Sequence, residues 1–151
     1  MNIEQRLKDL KIDLPACPKP VGSYKPVIVA NRTAYLSGQI ARRSDGVIIA
    51  GKVGADLSLE QGQEAARVAV LNILSITQNL IGFEKMDRFI RLVGYVQAAS
   101  NFYEISQVMN AASDLMVEIF GEKGIHARTA VGMASLPLNS AVEIEATLLL
   151  K

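Results

Sequence analysis

Arg128, Glu143 and Glu145 are the side chains of this sequence best suited to chemistry on a small polar molecule. They lie in one closing stretch, HARTAVGMASLPLNSAVEIEA, from His126 to Ala146. If both ends of the stretch are extended, alternation puts Arg128 on one face with Ala130, Gly132 and Ala134, and Glu143 on one face with Glu145 and Thr147. An arginine among small residues has room beside it for a ligand carboxylate, which it can grip at two points. A glutamate can activate a water. The same residues fit a plainer reading, in which Arg128 pairs with a protein carboxylate at an interface and the glutamates line a solvated face, Glu145 above all.

Other reactive side chains are scarce. His126 is the only histidine and Cys17 the only cysteine, so neither a histidine cluster for a metal nor an internal disulfide can be assembled. Cys17 sits in the proline-rich PACPKP and is read as incidental. Sixteen basic and fifteen acidic residues leave a net charge of +1, and no basic run exceeds the pair Arg42-Arg43. A nucleic-acid or membrane-surface protein held mainly by a basic patch is therefore not expected. The absence of tryptophan also argues against base stacking on single strands. No stretch approaches the ~18 to 20 apolar residues of a membrane span or a secretory h-region, so a cytoplasmic protein is expected.

The elements that must position Arg128 and Glu143 follow from periodicity. Half of the 151 residues are apolar, enough for one domain, 1–151, with a substantial core. Ile3, Leu7 and Leu10 predict a short helix capped by Asn2 with Gln5. A linker with three prolines leads to a hairpin of VIVA and TAYLSGQIA, with ANRT as the turn. A weak third strand is expected over Val47 to Ile49. Ser58 and Gln61 form a capping-box signature ahead of a long helix whose face runs Ala65, Ala69, Ile73, Ile76, Leu80 to a stop at Gly82. A strand follows over Phe89 to Ala98. Asn101 and Glu104 then read as a cap for a second long helix with Ile105, Val108, Met109, Ala112, Leu115, Met116 and Ile119 on its apolar face, the methionines as core. Two strands, Ala127 to Ala134 and Ala141 to Leu149, close the chain.

This order predicts an α+β fold, with a five- or six-stranded, mainly antiparallel sheet and two long helices on one face. The other face needs cover, because VIVA and TLLL are apolar at successive positions, and further copies of the chain would supply it. If the last two strands form a hairpin through SLPLNS, Arg128 stands opposite about residue 148 and Glu143 opposite about residue 133. The two charges are then on the order of 15 Å apart, too far to share one small ligand within a subunit.

The motifs GSYKPV, YLSGQI and ARTAVGMASLP followed by VEIEA resemble those of the Rid family of reactive-intermediate deaminases, also called the YjgF family and formerly endoribonuclease L-PSP. The likeness runs over about residues 22–151 and leaves the first 14 residues as an N-terminal helical extension. It implies a chorismate-mutase-like fold, a homotrimer with clefts between subunits, and hydrolysis of 2-imino acids or their enamine tautomers to 2-oxo acids and ammonia, with neither metal nor organic cofactor. By position Arg128 would hold the substrate carboxylate and Glu143 activate water, while Tyr24, Ser37, Gly38 and Ala130 would line the pocket. The implied partner is a small carboxylate-bearing imine or 2-oxo acid.

Three positions depart from the family pattern: a common cysteine is Ala130, an asparagine before the second long helix is Ser100, and a basic residue before LP is Ser135. Thiol chemistry is thereby removed from the site. A non-catalytic binder of small carboxylates is the alternative reading. An endoribonuclease or translation inhibitor has less support, since the lone histidine lacks a partner and the charge is balanced.

Overall fold

The computed structural model describes residues 2–151. Helix α1, Ile3–Asp9, starts where the Asn2 side chain accepts from the Gln5 backbone N–H at 3.2 Å. It buries Leu7. The hairpin of β1, Val27–Ala30, and β2, Thr33–Ile40, turns through Asn31 and Arg32, both at positive φ (49° and 61°). Two consecutive left-handed residues match the twist of the strands they join.

Helix α2, Leu59–Leu80, has the expected reciprocal cap: Gln61 N donates to Ser58 Oγ at 3.1 Å and Ser58 N to Gln61 Oε1 at 2.9 Å. Ala65, Ala69, Ile73 and Ile76 are fully buried, whereas Leu80 is exposed and Thr77 and Ile81 take the last buried positions. Strand β3, Met86–Gln97, leads to helix α3, Ile105–Phe120, whose Val108, Met109, Ala112, Leu115, Met116 and Ile119 enter the core. Strands β4, Ala127–Met133, and β5, Val142–Leu150, follow.

Two expectations fail. Residues 47–49 form no strand; Ile48 makes one isolated bridge to Arg42, and the segment is held by scattered backbone bonds, Val47 O accepting from Arg43 N, Ile49 N donating to Ala41 O and Ile49 O accepting from Ala141 N, with Asp45 Oδ1 accepting from Val47 N. The Asn101–Glu104 cap does not form either. Val53 N donates to Gln97 O and Ala99 N to Val53 O, which keeps the chain extended through Ala99. The helix therefore begins only after Glu104, whose side chain caps nothing.

The sheet order is β1-β2-β5-β3-β4, with β3 and β4 parallel and the other pairs antiparallel. This overturns the hairpin between the last two strands, because β3 lies between them. The SLPLNS segment steps over the end of β3 with Leu138 and Asn139 at positive φ. Buried Gln97 pins that step, its Nε2 donating to Asn139 Oδ1 at 2.6 Å and its Oε1 accepting from Leu136 N at 2.8 Å.

Helices α2 and α3 cover one face of the sheet, and no helix among the described residues is long and apolar enough to cross a membrane. The opposite face carries Ile28, Tyr35, Val131 and Met133, all at least a third exposed, around the carboxylates of Glu143 and Glu145.

Candidate active site

Arg128 leaves β4 toward the helices. Its ladder partner is Leu92, which is fully buried, and paired residues project to the same side of a sheet. Arg128 Nη1 donates to Asn110 Oδ1 at 3.0 Å and to Ser113 Oγ at 3.1 Å, while Nη2 makes a long contact of 3.5 Å with Ser106 O. Ser106, Asn110 and Ser113 recur at i, i+4 and i+7, one face of α3. Among the described residues Arg128 has no carboxylate partner; their one ion pair is Lys123–Asp87, 3.8 Å apart. The interface pairing weighed from sequence is thus not made within the chain. A half-buried guanidinium held only by neutral acceptors keeps its charge for a ligand. Its Nε, which makes no hydrogen bond among the described residues, and the outer hydrogen of Nη2 form the edge that a carboxylate takes side-on.

His126 stands behind this arrangement. Its Nδ1 lies 2.6 Å from Gly124 O and its Nε2 3.1 Å from Ser113 Oγ. Gly124 O can only accept and Arg128 can only donate, so His126 Nδ1 carries a proton and Ser113 Oγ accepts from Arg128 Nη1–H; in the neutral imidazole His126 Nε2 then accepts from Ser113 Oγ–H. Burial lowers the His126 pKa, the Gly124 carbonyl partly opposes that, and the Arg128 charge lowers it further.

Glu143 belongs to the other face. It pairs with Tyr95 and with Ile40, and half-buried it rests against Gly38: a Cβ built at position 38 would fall within 3.1 Å of Glu143 Cδ and 3.3 Å of Cγ. Any larger residue would displace the carboxyl group from this position. Gly38 lies where the β2–β5 register slips between Leu36 and Gln39, an irregularity that re-aims the strand. Burial raises the Glu143 pKa and the nearby Glu145 carboxylate raises it further. Glu145 is exposed, and Tyr95 OH donates to its Oε2 at 3.2 Å. Ser37 Oγ donates to Lys25 O at 2.7 Å, which ties β2 to the segment carrying the half-exposed Tyr24.

The six expected residues therefore fall into two groups. Gly38 meets Glu143, with Ser37 beside them and Tyr24 next to Ser37's anchor. Arg128 and half-buried Ala130 form the second group on the edge strand β4, facing α3. Arg128 aligns with Leu92 and Ala146, three residues along β5 from Glu143. The groups are separated by two strand spacings and by the thickness of the sheet. Asn110 and Ser113 were missed from sequence, although polar residues at helical spacing opposite an apolar stripe were the available signal. Ser100, exposed in the turn before α3, does not touch Arg128; the asparagine at the guanidinium is Asn110. Among the described residues no three metal-binding side chains cluster.

A family model described as "YjgF/chorismate mutase-like, putative endoribonuclease" matches residues 4–147. It takes in most of α1, which the sequence motifs alone had left outside. Protein TCP17 of Trypanosoma cruzi is 37% identical over 146 residues, 95% of this chain and 91% of that protein. A 2-iminobutanoate/2-iminopropanoate deaminase of Dermatophagoides farinae is 26% identical over 141 residues, 93% of this chain and 95% of that protein. The crystal structure of the Agrobacterium tumefaciens protein Atu1372 superposes with a TM-score of 0.91 at 38% identity, covering 99% of this chain and 92% of that one.

Proposed function

We propose, from the premise that this chain belongs to the YjgF/chorismate-mutase-like family, that it hydrolyses 2-imino acids or their enamine tautomers to 2-oxo acids and ammonia. The observation that carries this reading is Arg128: a half-buried guanidinium with no carboxylate partner among the described residues, steadied on one edge by Asn110 and Ser113 and open on the other. The similarity to the mite deaminase supports the same reading.

The chemistry makes few demands. An imine carbon is already electrophilic, so orientation by the carboxylate and a placed water supply most of what is needed. With the imine nitrogen protonated, Glu143 takes a proton from the water as its oxygen bonds to C2, giving a neutral carbinolamine. Glu143 returns that proton to the nitrogen and takes the hydroxyl proton as the C–N bond breaks, so the C2 carbonyl forms and the departing ammonia carries the last proton away as ammonium. A carboxyl with a raised pKa suits these proton transfers. Because Arg128 and Glu143 occupy opposite faces of one sheet, the working site is assembled between copies. Arg128 and Ala130 come from one copy, and Glu143, Gly38, Ser37 and Tyr24 from the next, in a homotrimer covered on its open sheet faces.

Ammonia release from freshly generated 2-iminopropanoate tests the reading, with Arg128→Ala and Glu143→Gln each expected to lose activity while the oligomer persists. Saturable binding of 2-oxo acids without any acceleration of hydrolysis would instead favour a non-catalytic binder.

A further inference from the structure

A cleft of about 470 Å³ opens beside the N-terminus of α3, with Ala98, Phe102, Ile105, Gly132 and Met133 among its walls. It does not include Arg128 itself but lies further along the same row of β4. Arg128, Ala130 and Gly132 succeed one another on the helix-facing side of β4, at steps of roughly 6.6 Å. The guanidinium does not stay above its own Cα. Nη2 reaches to 3.5 Å from Ser106 O, and the preceding residue, Ile105, is the one whose Cδ1 would lie 3.4 Å from a Cβ at Gly132. The cleft thus begins about one residue beyond the charged group, along the row that leads away from it.

We propose that this cleft receives the side chain of the bound acid, and that the preferred ligands are 2-imino and 2-oxo acids with branched aliphatic or aromatic side chains. The assignment rests on the reading of Arg128 as the carboxylate anchor. A carboxylate on the Nε–Nη2 edge leaves C2 near the Ala130 methyl, and the chain from C3 onward then points at Gly132, where no side chain blocks it. The volume falls in the ~300–1,000 Å³ range of small-molecule pockets, far more than a methyl or ethyl group fills. Its walls offer apolar surface to such a chain: Ile105 and Ala98 are aliphatic and Phe102 offers a ring, alongside the polar Lys52 and Ser100. At roughly fourfold per buried methylene, three additional carbons give a preference on the order of 50-fold.

The test is calorimetric affinity of the intact, assembled protein for 4-methyl-2-oxopentanoate and for pyruvate, a readout independent of turnover. The wild type is expected to bind the branched acid at least tenfold more tightly. Gly132→Leu, whose Cβ meets only ordinary contacts, is expected to erase that difference while leaving pyruvate within twofold. Ala98→Leu, on the half-buried wall of the cleft 3.9 Å from a Cβ at Gly132, is expected to do the same if the glycine variant does not fold. Equal affinities in the wild type, or equal weakening of both acids by the filling variants, overturns the subsite. Arg128→Ala separates the two claims. If it abolishes binding of both acids, the anchor stands whatever becomes of the subsite; if it leaves both unchanged, or if the wild type binds neither, the anchor fails and the subsite with it.

Discussion

Arg128 and Glu143 project from opposite faces of the same sheet, two strands apart and three residues out of line. With ~4.8 Å between strands and ~3.4 Å per residue, that places their Cα atoms on the order of 14 Å apart. Arg128 points to α3, where it meets Asn110 and Ser113, and Glu143 points away from the helices toward Gly38. Any ligand that meets both groups must lie where one copy's β4 edge approaches another copy's open face.

Gly38→Ala tests how closely the carboxylate must be placed. The added methyl would collide with the Glu143 carboxyl group, and displacement of a catalytic group by about 1 Å costs on the order of 100-fold in rate. Steady-state kinetics should show kcat falling by about that factor, with secondary structure by circular dichroism unchanged. An unaltered kcat would remove Glu143 from the chemistry.

The hydrogen-bonded line from Arg128 through Ser113 to His126 predicts a graded set of variants. Ser113→Ala leaves Arg128 with Asn110 and the long contact to Ser106 O, and loss of a hydrogen bond to a charged group of about 1.5 kcal/mol corresponds to slightly more than tenfold in KM, with kcat little changed. Ser113→Thr should retain most of the affinity. His126→Gln keeps an acceptor for Ser113 and His126→Asn keeps only a donor for Gly124, so the former should be the milder change. Because the folded-state pKa of His126 is lowered, its contribution to stability is whole above the ordinary value of about 6.5 and is lost as pH falls through the lowered one. Urea midpoints should accordingly fall less between pH 7 and pH 5 in His126→Gln than in the wild type.

Glu143 as the proposed base predicts an acid limb. Acting ionised, it would make the rate rise with pH through its pKa, which burial first and Glu145 second hold above the ordinary value of about 4.3. Glu145→Gln removes the second cause and should move the limb to lower pH; a limb that stays or moves upward contradicts the assignment. The stability effect has the matching sign. A raised carboxyl contributes stability that is present below its unfolded pKa and lost as pH rises through the folded one. Glu143→Gln should therefore melt at a higher temperature than the wild type at pH 7.

Local chemistry made much of this fold legible in the sequence. The Asn2 and Ser58 caps, the Asn31-Arg32 turn and the apolar stripe of α3 each depend on residues within a few positions of one another. Strand pairing depends on distant residues. Nothing near SLPLNS announces that it steps across β3, because the group that holds it there is Gln97, about forty residues earlier. The expected cap at Asn101 yielded to a backbone pairing with Val53, equally remote. Of the candidate site, Arg128 and Glu143 stand out as residue types and Gly38 enters through the family resemblance, whereas the division between two faces is fixed by strand register. Glu145 stands exposed, as alternation suggested, yet its charge acts on Glu143.

Complementation between two inactive variants tests the shared site most directly. Arg128→Ala and Glu143→Ala proteins, unfolded together in equal amounts and refolded, should recover ammonia release from 2-iminopropanoate. In a cyclic oligomer mixed at random, about a quarter of the sites pair an intact Arg128 with an intact Glu143 from the neighbouring copy, so activity should return to about that fraction of the wild type. If the mixture assembles as the wild type does but remains as inactive as either variant alone, Arg128 and Glu143 do not meet across a subunit boundary.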